Sequence, residues 1–190
     1  MNKSVLFPLK LVAALAMLSA VSIICGKYLA IRGGDILRFS FENLPIIFAG
    51  LAFGPLAGAL VGAIGDLVGC VMVGYTINPL VTVGAAAIGV VSGISRILFN
   101  KIGIKGAFNT AISVAFAHII GSVLIKTFGL AAFYDLPIWA LMLWRLLNYV
   151  IVGAVEAALL IILLKNKEIT RLISEMKPKR TKEIKKNDIR

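Results

Sequence analysis

The residues of this 190-residue chain with the greatest capacity for chemistry are ionisable side chains set inside long apolar runs. Asp66, His118, Arg145 and Glu156 stand within such runs, and Lys126 lies near the end of one. A charge in hydrocarbon is costly and normally faces a bundle interior or a water-filled cavity, so each is a candidate for binding or coupling. Arg145 is the most informative. It falls about 12 Å into the last apolar run, on one helical face with Asn148 and Glu156. A buried guanidinium needs an acceptor, either a carboxylate such as Asp66 or an anionic ligand. Glu156 lies about 16 Å further along the same helix, too far for a direct pair. Asp66, between Gly62 and Gly69, suits a bridge between helices. His118 suits either an interhelical hydrogen bond or a pocket wall, and Lys126 either snorkels to headgroups or attracts an anion. Glu156, deeper along the last run, suits a structural or coupling role.

Other polar groups cluster at the ends of the apolar runs. "RFSFENLP" (38–45) places Arg38, Glu42 and Asn43 just before Pro45, and "VGYTINP" (73–79) contributes Tyr75 and Asn78. "FGLAAFYDLP" (128–137) adds Phe133 and Tyr134, and Trp139 and Trp144 follow. Tyr and Trp at these positions would serve as an aromatic belt at the membrane surface. Combined with Arg145, Asn148 and Lys126, they would instead wall a pocket for a flat, polar, anionic organic molecule. The candidate substrate-binding set is therefore Arg38, Glu42, Asn43, Tyr75, Asn78, His118, Lys126, Trp139, Arg145 and Asn148. No HExxH, GxSxG or Walker motif occurs, and the lone histidine and scattered carboxylates form neither a catalytic nor a metal-binding constellation. Cys25 and Cys70, both in apolar surroundings, read as small buried hydrophobes.

The elements that must position these groups are membrane helices. Mean hydropathy of +0.96 and 59% hydrophobic residues exclude a soluble domain of this length. Six spans are expected, at about 5–25, 41–53, 55–73, 80–99, 107–126 and 137–164, in one domain over 1–165. The second is short, so its helix either starts near Arg38 or does not cross fully; it breaks at Gly54-Pro55. The first is read as a retained helix, because no small-x-small cleavage site precedes a polar mature domain. Lys3, Lys10, Arg96, Lys101, Lys105 and the tail fall on one side, which places both termini in the cytoplasm and "RFSFENLP" at the outer face.

Residues 166–190 form a basic cytoplasmic tail. From Lys165 to Arg190 there are ten Lys/Arg against four Asp/Glu, which after a membrane helix points to anionic lipid and not to nucleic acid. Within it, Ile169, Leu172, Ile173 and Met176 share one stripe, as in a short interfacial helix, and the last residues read as disordered. Small residues recur at packing intervals: Gly58, Gly62, Gly65 and Gly69 in the third span, and Ala85, Gly89 and Gly93 in the fourth. Both sets suit internal packing, whereas Ala16 and Ala20 in the first span suit either internal packing or another protein.

Three stretches together resemble a known family. They are "RFSFENLPIIFAGLAFGPLAGALVGAIGDLVG" (38–69), "YTINPLVTVGAAAIGVVSGI" (75–94) and "LPIWALMLWRLLNYVIVGAVEAALLIILLK" (136–165). Over about 8–165 the chain resembles the substrate-binding (S) component of energy-coupling factor (ECF) vitamin transporters, and within them the folate branch. The resemblance implies a six-helix bundle in a prokaryotic plasma membrane, with an outward-facing vitamin site. It also implies a shared transmembrane scaffold and two ATPases as partners, Ala16 and Ala20 as the scaffold-docking surface, and no cofactor or chemistry of the chain's own. An S component for a different vitamin, or a stand-alone secondary transporter driven through Asp66 or Glu156, are the alternatives.

Overall fold

Hydrophobic periodicity and glycine placement build eight helices and one small hairpin. The structure, a computed structural model, describes residues 8–33 and 37–176, with side chains described outside 32–38. The helices are α1 (Leu9–Ile23), α2 (Asn43–Phe53), α3 (Pro55–Met72), α4 (Pro79–Lys101), α5 (Gly106–Ala117), α6 (Lys126–Tyr134), α7 (Ile138–Lys165) and α8 (Lys167–Met176). A π-helical segment, Ile24–Tyr28, extends α1, and a second, His118–Ile125, joins α5 to α6. Among the described residues, five continuous helical stretches are long and apolar enough to cross a membrane: Leu9–Tyr28, Pro55–Met72, Pro79–Lys101, Gly106–Tyr134 and Ile138–Lys165.

The sixth apolar helix is α2. It begins at Asn43, not near Arg38, and its 11 residues span about 16 Å, roughly half the hydrocarbon core. It ends where Gly54 takes φ 105°, a conformation that favours glycine, and Pro55 opens α3 at a position that needs no N–H donor. The α2–α3 turn abuts Gly93, where an added Cβ would lie 2.6 Å from Pro55 N. Gly93 precedes the end of α4 by eight residues, so the turn sits about 12 Å short of that end.

The fold is all-helical as expected, and one connection within it departs from the expected loop. The connection expected as a loop over 26–40 contains an antiparallel hairpin of β1 (Ile31–Gly33) and β2 (Leu37–Phe39), in which Arg32 pairs with Arg38. Likewise, most of the expected turn "FGLAAFYDLP" is helical, because the π segment carries the fifth span through to Tyr134. Asp135, at φ 49°, then ends α6.

The glycine faces are used as close contacts. A Cβ at Gly89 would overlap the backbone of Gly58, and one at Gly62 would overlap Ala85, so α3 and α4 touch through their backbones. In lipid, where apolar burial offers little gain, such contacts supply the packing energy. Gly65 and Gly69 turn instead toward Ser22 and Lys27 of the α1 end. One core cluster joins Leu11 and Leu15 of α1 to Ile47, Val61, Ile88, Val114 and Leu160. Met176 packs against it and Ile173 is buried, so α8 folds back under the bundle, while Leu172 stays exposed. The tail beyond Met176 lies outside the described residues. Outward, α7 exposes Leu143, Leu147, Val150, Ile151 and Ile162, as a helix bathed in lipid does.

Candidate functional site

At the hairpin end of the bundle, polar side chains from several elements converge around the start of α2. The second π segment aligns His118, Ser122 and the following Lys126 on the interior side, and all three are buried. π turns leave carbonyls out of the usual register, and they recur at functional sites. Here the Ser122 carbonyl accepts from Arg145 Nε at 3.2 Å and from the Thr127 hydroxyl at 3.5 Å.

Two lysines with buried side chains are each held by a carboxylate. Lys126 Nζ is 2.9 Å from Glu42 Oε1 and donates to Asn43 Oδ1 at 3.4 Å. Lys27, in the first π segment, lies 3.7 Å from Asp66 Oδ1, and the Thr82 hydroxyl donates to Asp66 Oδ2 at 2.7 Å. Pairing is what allows ammonium groups to sit inside the bundle at all. Glu42 also packs on Gly26, where a Cβ would come within 2.7 Å of its Oε2, and its carbonyl accepts from the Ser22 hydroxyl.

Beside this network opens a cavity of about 560 Å³. Glu42, Lys126, Arg145, Asn148, Ser40, Tyr134 and Tyr149 supply its polar groups, and Val81, Leu130, Leu136 and Leu141 its apolar wall. The size and mixed lining are those of a site for an organic ligand. Arg145 is held by the Ser122 carbonyl, by the Tyr149 hydroxyl at 3.4 Å and by the Tyr149 ring, 5.6 Å from its centroid. It has no carboxylate partner among the described residues. Asp66, the acid considered for it on the sequence, is taken by Lys27 and Thr82. Glu156 pairs with His118, at 2.6 Å.

The proposed site residues therefore divide. Glu42, Lys126, Arg145 and Asn148 line the cavity, and Asn43 lies fully buried behind Lys126. Lys126 neither snorkels nor stands free; it is buried and paired. His118 lies beneath the cavity, stacked on Tyr149 at 4.8 Å. Asn78 serves the framework: its side chain caps α4 through Leu80 N and Val81 N and donates to Gly129 O at 2.8 Å. Tyr75 lies outside the cavity lining, beneath Lys27. Trp139 is 81% exposed at the start of α7 and does not line the cavity. The backbone of Arg38 belongs to β2, and its side chain is outside the description. Tyr149 and Ser122 were missed by sequence reasoning. Their signal was spacing alone, since each stands four residues beyond a candidate, Arg145 and His118.

A second feature lies on the opposite face of α1. Ala16 and Ala20 are exposed and line an apolar groove of about 570 Å³ between α1 and α3, with Val12, Leu60, Ile64 and Val68 among its walls. Among the described residues no cluster of three or more His, Cys, Asp or Glu could hold a metal ion.

A family model described as "ECF-type riboflavin transporter, S component" matches residues 7–168. The chain belongs to that family. It is a multi-pass membrane protein and a transporter S component, not an enzyme. Two solved structures share the S-component fold. One is described as the crystal structure of FolT bound with folic acid, at 21% identity and a TM-score of 0.64, covering 80% of this chain and 91% of that one. The other is described as the structure and mechanism of the S component of a bacterial ECF transporter, at 18% identity and a TM-score of 0.61, covering 89% and 98%. No curated protein matches the sequence.

Proposed function

We propose that this S component captures folate or a reduced folate in the 560 Å³ cavity and delivers it for ATP-driven uptake. The observation that carries the reading is Arg145, a cation on the cavity wall with no carboxylate partner among the described residues. A dianionic vitamin would supply that partner through a charge-assisted, bidentate contact. Tyr134 offers a ring face to a pterin or benzoyl group, and Glu42 and Asn148 offer acceptors to its donor edge. Riboflavin is the second reading, favoured by the description of the family. It is uncharged and would leave Arg145 unanswered.

The same reading places both termini in the cytoplasm and the hairpin end outside, in a prokaryotic plasma membrane, with α2 as a sixth, partial span. Lys101, Lys105 and Lys165 all fall at the end away from the hairpin, in keeping with the excess of positive charge on cytoplasmic loops. The scaffold subunit docks in the groove around Ala16 and Ala20, where small residues admit a close helix approach. Two ATPases supply the energy. The test is a panel of vitamins titrated into purified protein by calorimetry. Stoichiometric folate binding supports the reading, whereas binding of riboflavin alone replaces the ligand and keeps the family.

A further inference from the structure

Beneath the cavity lies a pair that ligand contact alone does not account for. Glu156 is fully buried in α7, and its Oε2 lies 2.6 Å from His118 Nε2. Its other oxygen has no hydrogen-bond partner among the described residues. Burying a carboxylate with half of its acceptor capacity unused is expensive. A contact whose only purpose was to hold the π segment to α7 would be served as well by apolar packing.

What His118 touches suggests the use. Its Nδ1 lies 3.3 Å from the Ser122 hydroxyl, and its ring stacks on Tyr149 with an interplanar angle of 24°. Ser122 and Tyr149 are the two residues that hold Arg145, the first through its carbonyl and the second through its hydroxyl and ring. The Glu156 carboxyl and His118 Nε2 share one hydrogen, and that short bond fixes the ring's rotation. With the ring fixed, both supports of the guanidinium are fixed.

We propose that Glu156 is a positioning residue for the ligand cavity: through His118 it holds Ser122 and Tyr149, and through them it fixes the Arg145 guanidinium on the cavity wall. The inference rests on the reading of that cavity as the vitamin site, but its first test needs no vitamin. A binding site gains affinity when its charged group is held in place before the ligand arrives.

The first measurement is hydrogen exchange at Arg145 Nε in the ligand-free protein by NMR, assigned by loss of the resonance in Arg145→Lys. Glu156→Ala should speed exchange by about tenfold, the factor for losing roughly 1.4 kcal/mol of restraint. Glu156→Gln keeps an acceptor for His118 and should exchange as the parent does. Unchanged exchange in folded Glu156→Ala overturns the inference. If that variant does not fold, Glu156→Asp keeps the buried acid but draws it back from His118; faster exchange supports positioning and parental exchange refutes it. The second measurement is affinity for whichever vitamin the parent binds. Glu156→Ala should weaken it about tenfold alone and by less than about twofold in an Arg145→Gln background, because residues acting through one another are not additive. Equal losses in both backgrounds would mean that Glu156 acts independently of Arg145. Failure of folate to bind refutes the functional reading and leaves the exchange result standing by itself.

Discussion

Removing either partner of the Lys126–Glu42 pair should destabilise the protein, and the two losses should be unequal. The pair is close, at 2.9 Å, but its members are buried to different degrees, with side-chain exposures of 4% for Lys126 and 19% for Glu42. Glu42→Gln leaves an ammonium group sealed in the bundle with no carboxylate beside it, while Asn43 Oδ1 still accepts from it. Breaking a buried pair in this way costs about 3–5 kcal/mol, reduced here because a glutamine oxygen can still accept. A net loss of about 2–3 kcal/mol corresponds to a fall in Tm of roughly 5–10 °C for a chain of this size. Lys126→Met leaves a carboxylate that borders the cavity and can draw on water, so its loss should be about half as large. The double variant should recover most of the stability lost in Glu42→Gln, because no charge is then stranded. Thermal unfolding of the four proteins in one detergent tests this ordering. A double variant that melts below Glu42→Gln, or a Lys126→Met loss larger than the Glu42→Gln loss, would refute the assignment of the pair's cost to the stranded lysine.

Other predictions concern different parts of the structure. Ala16→Trp with Ala20→Trp fills the α1–α3 groove and should abolish uptake in cells while leaving ligand affinity of the purified protein within about threefold, a division that uptake and calorimetry measure together. Gly89→Ala places a methyl group onto the backbone of Gly58 and should sharply reduce recovery of folded protein, read by size-exclusion chromatography in detergent. Asn78→Ala removes the α4 cap and the tie to Gly129, and should lower stability by about 1–3 kcal/mol, seen as a Tm loss of several degrees without a comparable change in affinity.

Much of the framework was legible because lipid imposes simple rules. Apolar runs marked the helices, and the glycine spacing of 58, 62, 89 and 93 marked the α3–α4 contact, since only small residues permit it. The short second span was legible too, because Gly54-Pro55 ends any helix begun near Asn43. The site was harder. Glu42 and Lys126 are 84 residues apart and His118 and Glu156 are 38 apart, so no local spacing joins them. Lys27, within the stretch expected as a loop, reaches Asp66 because the π segment carries it onto the α1 face. The second π segment gave no signal in composition, yet it directs the Ser122 carbonyl to Arg145. Trp139 and Asn78 have residue types suited to a pocket and are placed elsewhere, one exposed at the start of α7 and the other at a helix cap.

On the proposed function, Arg145 gives the cavity its preference for an anionic vitamin. Calorimetric titration of folate into the parent protein and into Arg145→Ala tests it directly. One-to-one binding by the parent is expected, with a loss of about 30-fold or more in the variant, the scale of a charge-assisted contact worth roughly 2–3 kcal/mol. Equal affinity in the two proteins, or tight binding of riboflavin with none of folate, would contradict it.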